Sequence, residues 1–304
     1  MLATVSSNSI KNNRMTRLIQ LSLLILFISC KDKVDKTVSV KSETHDKTFK
    51  LYSKTAQDTF YISVNLPDSF NLKPNEKYPV VYVLDGNNNF DILKTISKKY
   101  TEFEILPKMI IVGVGYKDNP TLMQQRLNDL CYPKCIIPFL DSLELGDGAE
   151  GFYEFIVNDL SPLIDKKYQV DTTNRILFGH SLAGYFSCYA LMKSLEGKNV
   201  FSSFVAADPS ISIVGDKYLP KQFVSRQFPE RKNKLKLYLS CQGTLPFDSL
   251  TNAIHHHQIL KEFTENISKK DSDKVEVNYQ VLEYTIHEDI AWISYINALR
   301  FIFK

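Results

Sequence analysis

The chain is poor in the features that mark specialised classes of protein. Five cysteines among 304 residues are too few for a disulfide framework in a chain of this size. Glycine and proline number 11 and 12, which excludes collagenous and low-complexity chains. The 37 basic and 34 acidic side chains form no basic stripe, so nucleic acid is not an expected partner. What remains is a globular composition, 44% hydrophobic and 23% charged.

The first 29 residues have the layout of a signal peptide. A short apolar run, residues 18–28, follows three basic side chains and precedes Cys30, with no acidic residue before it. The run is well short of the roughly 20 residues that a membrane-spanning helix needs. Ser29 stands directly before the cysteine, which resembles the lipobox of bacterial lipoproteins. We expect residues 1–29 to be removed and Cys30 to be lipidated; a plain secretory signal and a retained membrane anchor are the alternatives.

The segment after the cysteine has the composition of a tether. Residues 30–47 carry many charges, few large apolar groups and no periodicity. We therefore expect a flexible linker from the lipid to a folded domain over residues 48–304. The protein would lie in the cell envelope on a bacterial membrane, periplasmic or surface-facing, with the lipid anchor as its membrane contact.

From Thr48 onward, strand patterns alternate with helical ones. Residues 59–66 alternate in polarity, as a strand with one exposed face does. Residues 79–85 and 107–116 are continuously apolar, as strands covered on both faces are. The later strand candidates are residues 175–180, 201–207, 234–241 and 275–284. The succession predicts one α/β domain, with a mostly parallel central sheet of about eight strands and helices on both faces.

One strand-to-helix turn carries a reactive serine. Residues 179–184 read GHSLAG between a buried strand and a helical pattern, which resembles the nucleophile elbow of the α/β-hydrolases. The strained turn needs small residues two positions to either side of Ser181, and Gly179 and Ala183 meet that need. A serine that caps an ordinary strand-to-helix turn is the alternative. Such a cap would need neither small flanks nor a partner histidine.

Serine needs a base, because its hydroxyl is a poor nucleophile at neutral pH. His287 lies between the last strand pattern and the closing helical pattern, where this fold has its histidine. His180 stands inside the turn, and we expect it to shape that turn. Three consecutive histidines, residues 255–257, would point about 100° apart on a helix and cannot converge on one metal ion. We expect a solvated helical face there, and no metal or cofactor.

The remaining catalytic groups should lie on other strand ends. A triad needs a carboxylate on the loop after the strand before last, and Asp248 is the first acid there. Asp208, after the preceding strand, and Glu288 are alternatives, as is a serine–histidine dyad without an acid. An oxyanion hole needs two backbone N–H donors. We expect these from Leu182, directly after the serine, and from Asn87, in the turn that follows the strand VYVLD.

Together these motifs resemble the putative-esterase family of α/β-hydrolases, which includes enterobactin-type siderophore esterases, S-formylglutathione hydrolases and feruloyl or acetylxylan esterases. The segment VVYVLDG is similar to the family's strand and oxyanion turn. Residues 126–130 (RLNDL) are similar to its arginine–aspartate segment, and residues 287–303 to its histidine and closing helix. The resemblance covers residues 48–304. It implies an α/β-hydrolase fold with the chain order serine, acid, histidine.

The resemblance implies a serine carboxylic ester hydrolase that acts through an acyl-enzyme intermediate. Its substrate would be a small-molecule ester, either a siderophore-type lactone or a carbohydrate-linked ester. An acyltransferase with the same triad is one alternative, and a non-catalytic ligand-binding lipoprotein on this fold is another. The insert at residues 131–145 is expected to overhang the site and shape its pocket. Cys131 and Cys135, four residues apart, could be joined in an exported protein.

Overall fold

The computed structural model describes residues 46–68, 70, 75–137, 143–197, 200–212, 214, 217–243 and 250–304. The predicted signal peptide, the predicted lipidation site Cys30 and the candidate acid Asp248 lie outside these residues. The side chain of Cys135 is also outside the description, so its pairing with Cys131 stays a prediction. Within the described part of the chain, no helix combines the length and the apolarity needed to span a bilayer.

The described strands form two sheets. They are β1 (Asp46–Ser53), β2 (Asp58–Asn65), β3 (Tyr78–Leu84), β4 (Ile110–Gly115), β5 (Cys135–Ile137), β6 (Leu143–Leu145), β7 (Val170–His180), β8 (Ser203–Ala207), β9 (Leu235–Gln242) and β10 (Val275–Leu282). The main sheet has eight strands in the order β1-β2-β4-β3-β7-β8-β9-β10. β2 is antiparallel to both of its neighbours, and the other neighbouring pairs are parallel. β5 and β6 form a short antiparallel pair inside the predicted insert.

Helices connect the strands of the main sheet. They are α1 (Gly86–Glu102), α2 (Leu122–Asp129), α3 (Ala149–Glu154), α4 (Ser161–Lys167), α5 (Leu182–Leu195), α6 (Tyr218–Ser225), α7 (Leu250–Lys270) and α8 (Ile290–Ile302). A π-helical turn, Phe155–Leu160, joins α3 to α4. A short 3-10 turn, Ser210–Ser212, follows β8.

Alternate residues of β3 show how both faces of the sheet are covered. Val81 and Val83 are fully buried in an apolar cluster with residues of α1 and α8. Val80 and Tyr82 are fully buried on the opposite face, in a larger cluster with residues of α3, α5 and α7. A strand with no solvent-exposed face can be apolar at every position, which explains the continuous apolar run in the sequence.

The sheet confirms the predicted architecture, with eight strands, mostly parallel pairing and helices on both faces. The first described strand begins earlier than we expected. Asp46 and Lys47, which we assigned to the tether, pair with Asn65 and Val64 of β2. β1 is an edge strand with two exposed lysines, Lys47 and Lys50, so its composition resembles that of a solvated linker.

The parallel strands bring the sequence candidates to one edge. β3, β7, β8, β9 and β10 run in the same direction, so their carboxyl ends share that edge. In open α/β sheets this edge forms the ligand-binding crevice. Asn87 follows β3, Ser181 follows β7 and His287 follows β10.

Candidate active site

Ser181 lies in a strained turn between β7 and α5. Its backbone has φ 59° and ψ −120°, in the left-handed half of conformational space that residues with a Cβ atom avoid. Its N–H donates to Ala207 O at 3.0 Å, and its C=O accepts from the N–H groups of Tyr185 and Ser210. These bonds hold a conformation that typically costs about 1–3 kcal/mol.

Small residues are required on both sides of Ser181 because two parts of the backbone approach each other closely there. A Cβ atom at position 179 would lie 1.9 Å from Ala183 O, a distance that no relaxation of a side chain can relieve. Ala183 itself is fully buried. Gly184 also approaches other backbone closely, since a Cβ there would lie 3.0 Å from Ala207 O. The elbow is therefore defined by close backbone contacts, both within the turn and with the end of β8.

His287 reaches Ser181 from the loop that follows β10. The Nε2 atom of His287 lies 3.0 Å from Ser181 Oγ. Two hydrogen bonds fix this loop: the Thr285 hydroxyl donates to Leu282 O at 2.6 Å, and the Ile286 N–H donates to Asp289 Oδ1 at 2.9 Å. The imidazole is 40% exposed, so the serine–histidine pair is open to solvent and to a ligand.

The carboxylate that faces the other side of His287 belongs to Asp208. His287 Nδ1 lies 2.6 Å from Asp208 Oδ2, and the aspartate side chain is 1% exposed. Asp208 directly follows β8. The sequence favoured Asp248, which comes after the next strand, β9. Asp208 is the acid that the sequence analysis kept as an alternative. Glu288, the other alternative, is exposed.

The histidine run contributes to the site, so our prediction of a solvated helical face is wrong for two of its three members. His255 is exposed, but His256 and His257 are partly buried. His256 Nε2 lies 3.2 Å from Asp208 Oδ1, and His257 Nε2 lies 2.6 Å from Gln242 O. Steps of about 100° prevent three adjacent residues from converging, but they do not prevent single members from pointing inward.

Hydrogen bonds keep Asp208 ionised despite its burial. Desolvation alone would raise the pKa of this carboxyl group, because it disfavours the charged form. The hydrogen bonds from His256 and His287 outweigh desolvation and hold the pKa of Asp208 well below its usual range. The backbone N–H of Gln242 adds a third donor at 3.2 Å. Asp208 is thus a carboxylate at neutral pH.

The two predicted oxyanion donors stand at helix N-termini, where the first N–H groups have no partner within the helix. Leu182 is the first residue of α5 and Asn87 the second residue of α1. The side chain of Asn87 is bound at both ends to the backbone of Tyr116, donating to Tyr116 O at 2.9 Å and accepting from Tyr116 N–H at 2.7 Å. These bonds fix the turn and leave the Asn87 N–H free of its own side chain.

An ion pair supports the turn before Asn87. Asp85 has a left-handed backbone, with φ 50° and ψ 46°, and its side chain is buried. Arg126 donates to both of its carboxylate oxygens, with Nε at 2.7 Å and Nη2 at 2.8 Å. Burial lowers the pKa of Arg126, but the charge and the hydrogen bonds of Asp85, with smaller contributions from Tyr116 and Cys131, together more than compensate and raise it. The arginine–aspartate segment seen in the sequence therefore braces the turn through its arginine.

His180 contacts the site through its ring. Its imidazole centroid lies 4.6 Å from that of His287. Burial, aided by the neighbouring charge of His287, lowers the pKa of His180 to about 4, so the ring is neutral at physiological pH. A neutral ring beside His287 adds no positive charge to the site.

One group of described residues has donor atoms close enough for a metal ion. Asp208, Cys241 and His256 bring ligand atoms within 4.8 Å of one another. The Asp208 carboxylate already accepts hydrogen bonds from His256 and His287. Burial also raises the pKa of the Cys241 thiol, which disfavours the thiolate that binds metals. The donor set fits hydrogen bonding to a shared carboxylate better than coordination.

Two serines at the site, Ser210 and Ser212, were not identified from the sequence. The Ser210 hydroxyl lies 3.4 Å from Ser181 Oγ, and Ser212 Oγ lies 2.9 Å from His256 Nδ1. Both serines follow Asp208 in the segment DPSIS, a turn signal that places them near the same strand end. A hydroxyl, an imidazole and a buried carboxylate in one hydrogen-bonded chain can activate the hydroxyl as a nucleophile.

Comparisons with known proteins identify a family for the chain. Residues 53–299 match the family described as "Putative esterase". The ferri-bacillibactin esterase BesA of Bacillus subtilis is 31% identical over 170 residues, which are 53% of this chain and 57% of that protein. The apo-salmochelin esterase of Escherichia coli O6:H1 is 28% identical over 150 residues, 45% of this chain and 43% of that protein. The matched region thus spans about half the length of these relatives.

Solved structures agree on the fold. The siderophore hydrolase EstB from Aspergillus nidulans superposes with a TM-score of 0.70 and covers 88% of this chain and 97% of its own, at 19% identity. At that identity the likeness concerns the fold, which is the α/β-hydrolase fold that the sequence predicted. Because the family match extends over most of the folded region, the chain belongs to the putative-esterase family of α/β-hydrolases.

Proposed function

We propose that the protein is a serine carboxylic ester hydrolase that acts through an acyl-enzyme intermediate. The observation that carries the proposal is the hydrogen-bonded chain from Ser181 through His287 to Asp208. These groups match the nucleophile, the base and the orienting acid of a triad. We assign the acid to Asp208 because its carboxylate accepts from His287; Asp248 remains the candidate that the sequence alone favoured.

In the first half of the reaction, Ser181 Oγ attacks the ester carbonyl carbon while His287 Nε2 takes the hydroxyl proton. The carbonyl oxygen becomes an oxyanion, to which the N–H groups of Leu182 and Asn87 would donate. His287 then returns its proton to the leaving alcohol as the ester C–O bond breaks. An acyl ester on Ser181 remains. Asp208 stays ionised throughout and stabilises the imidazolium.

In the second half, water replaces the alcohol. His287 takes one proton from water as the water oxygen attacks the acyl carbon, and the same donors hold the second oxyanion. Collapse of this intermediate breaks the bond to Ser181 Oγ, which recovers the proton from His287, and the carboxylic acid leaves. The low pKa of Asp208 supports this cycle, because the imidazolium forms twice and needs a charged partner each time.

For the substrate class we propose siderophore-type lactones. The sequence left carbohydrate-linked esters open as well, but the names of the relatives, a ferri-bacillibactin esterase and an apo-salmochelin esterase, favour siderophores. A direct comparison decides between them. We expect an enterobactin-type trilactone to be hydrolysed with at least a tenfold higher kcat/KM than a feruloyl sugar ester, and the opposite ranking would reject the siderophore assignment.

We also propose that the mature protein begins at Cys30 and is held to the cell envelope by lipid. The basic and apolar layout of residues 1–29 supports this. Replacing Cys30 with alanine should leave the protein unlipidated and move it out of the membrane fraction. An unchanged mass and an unchanged fractionation in that variant would argue against the anchor.

Active-site labelling tests the catalytic proposal. A fluorophosphonate probe should label the purified wild-type protein, fail to label Ser181→Ala, and label His287→Ala at least 100-fold more slowly. This pattern would establish the nucleophile and the base. A folded wild-type protein that the probe does not label, and that hydrolyses neither ester, would support the non-catalytic binding protein instead.

A further inference from the structure

The carboxylate of Asp208 is held from two sides. Oδ2 accepts from His287 Nδ1 at 2.6 Å, on the side that faces Ser181. Oδ1 accepts from His256 Nε2 and from the Gln242 N–H, both at 3.2 Å, on the opposite side. The carboxylate plane is therefore fixed by donors on each oxygen. Without His256, the Gln242 N–H at 3.2 Å would be the one remaining of these two donors to Oδ1, and the carboxylate could rotate more freely about its Cβ–Cγ bond.

His256 is itself held in place. Its Nδ1 atom lies 2.9 Å from the Ser212 hydroxyl, which can donate to it. A donor at Nδ1 leaves the proton on Nε2, the tautomer that can donate to Asp208. The ring lies on α7 and is 18% exposed, so little solvent competes with either bond. The hydrogen-bonded chain thus extends from Ser212 through His256 and Asp208 to His287.

We propose that His256 is a positioning residue for the reaction, one that orients the Asp208 carboxylate toward His287 through Nε2. This inference rests on the proposed hydrolase function and deepens it. The hydrogen bonds of the His256 ring go to Asp208 and Ser212 rather than to Ser181. Its role is exerted through Asp208, so it should affect the chemical step and leave substrate binding nearly unchanged. The comparisons and the sequence motif assign no such role to this position.

Variants at position 256 test the inference because they differ in whether the new side chain can donate a hydrogen bond to Asp208. Leucine removes the donor, whereas the Nε2 group of glutamine can reach about as far as the histidine Nε2 and can still donate. In His256→Leu we expect kcat to fall about 10- to 100-fold, the range known for residues that orient metal ligands through hydrogen bonds. KM should change less than twofold. His256→Gln should recover most of the loss. His255→Leu, which changes an exposed neighbour on the same helix, serves as the matched control.

A second measurement does not depend on turnover. The proton shared by His287 Nδ1 and Asp208 Oδ2 should give a downfield proton NMR signal in the resting protein, because the two atoms are 2.6 Å apart. The signal should persist in His256→Gln and His255→Leu and should broaden or vanish in His256→Leu. Thermal unfolding of each variant shows whether it is folded under the conditions of the measurement.

The outcomes separate this inference from the proposed function. If the fluorophosphonate probe labels the wild type and His256→Leu behaves like His255→Leu in rate and in NMR, the positioning role is refuted and the hydrolase function stands. If His256→Gln falls as far as His256→Leu, the ring acts only by packing, which also refutes it. If the wild type has no hydrolase activity, the function fails, and the NMR comparison alone decides whether His256 orients Asp208.

Discussion

The two sides of Ser181 are built in different ways. On one side, the elbow is set by a backbone contact between residues close in sequence, Gly179 and Ala183, and the adjoining oxyanion turn is supported by contacts with Tyr116 and Arg126. On the other side, the base and the acid are brought together by hydrogen bonds over long separations. His287 is 106 positions from Ser181 and 79 from Asp208. We call the first the elbow side, which depends mainly on the space available to the backbone. We call the second the acid side, which depends on hydrogen-bond donors and acceptors.

This difference predicts two kinds of failure. A backbone contact below 2 Å cannot be relieved by moving one side chain, so a wrong residue on the elbow side must distort the strand or the helix. A missing hydrogen bond on the acid side leaves the fold in place and reduces the rate by a graded amount. Changes on the elbow side should therefore lower stability and activity together. Changes on the acid side should lower activity with little loss of stability.

The largest effect is expected at Gly179. In Gly179→Ala the new Cβ atom would lie 1.9 Å from Ala183 O, so β7 and the start of α5 must separate. We expect a loss of more than about 3 kcal/mol in the free energy of unfolding and no detectable fluorophosphonate labelling. Urea unfolding and probe labelling measure the two effects on the same sample.

Gly184→Ala is the matched control for that change. The corresponding contact, with Ala207 O, would be 3.0 Å, which requires a shift of only a few tenths of an ångström. This variant should be destabilised far less and should keep most of its labelling. Equal behaviour of the two variants would remove the steric argument for the elbow side.

The next largest effect is expected at Asp208. Asparagine in its place keeps the shape but loses the charge and can turn an N–H₂ group toward His287. We expect kcat/KM to fall about 10²- to 10⁴-fold, as for the orienting acid of other triads, with the fold retained. Steady-state hydrolysis and circular dichroism provide the measurement. Asp248→Asn is the comparison, and it should reduce kcat/KM less than threefold.

The reverse ranking would contradict the assignment of the acid. If Asp248→Asn is severe and Asp208→Asn is mild, the acid follows β9, as the sequence favoured. If both are mild, the pair of Ser181 and His287 works as a dyad. Either result would also weaken the contrast between the two sides of the serine.

The elbow side could be predicted from the sequence, because its determinants are local. The strand pattern, the serine and the small flanks lie within a few residues, and steric need restricts which residues can occupy them. Gly179 and Ala183 were identified on that basis, and the structure shows the contact that restricts them. The eight-stranded sheet was predicted for a similar reason, since apolar runs covered on both faces read as buried strands.

The acid side could be predicted only in part. Strand ends limit the candidates, but β8 and β9 are neighbours in the sheet, so an acid after either strand could face His287. Local patterns do not decide between Asp208 and Asp248. The inward turn of His256 is also set by how α7 lies on the sheet, which a helical period alone does not fix. The sequence shows which residue types are present, but it does not show which distant segments the fold brings into contact.

A smaller effect is expected where the elbow side depends on an ion pair. In Arg126→Lys the charge remains, but the two-pronged contact with Asp85 is replaced by a single one. We expect the turn before Asn87 to loosen, with kcat/KM reduced about tenfold and stability by about 1 kcal/mol. Steady-state kinetics and urea unfolding check both values. An unchanged kcat/KM would show that the ion pair does not support the oxyanion turn.

The smallest effect on activity is expected at Asp129, a buried carboxyl group that contrasts with Asp208. Asp208 has its pKa held low by two histidines, whereas burial raises the pKa of Asp129 to about 7 despite a hydrogen bond from Asn128. A carboxyl group whose pKa is raised on folding binds more protons in the native state than in the unfolded state. Stability should therefore fall as the pH rises from about 4 to about 7 and then level off.

Asparagine at position 129 is uncharged at every pH, so it removes this dependence while keeping the shape of the side chain. Relative to wild type, Asp129→Asn should gain about 3 kcal/mol of stability at pH 8 compared with pH 5, because the unfolded carboxyl group is already ionised at pH 5 and only the interval from there to the native pKa of about 7 contributes. Activity at a fixed pH should change little. Urea unfolding at both pH values measures the gain, with the exposed Asp147→Asn as the control for the same change of charge. A gain that is equal at both pH values would mean that Asp129 is already ionised at pH 5 in the folded protein. The pKa values of Asp129 and Asp208 would then not be shifted in opposite directions.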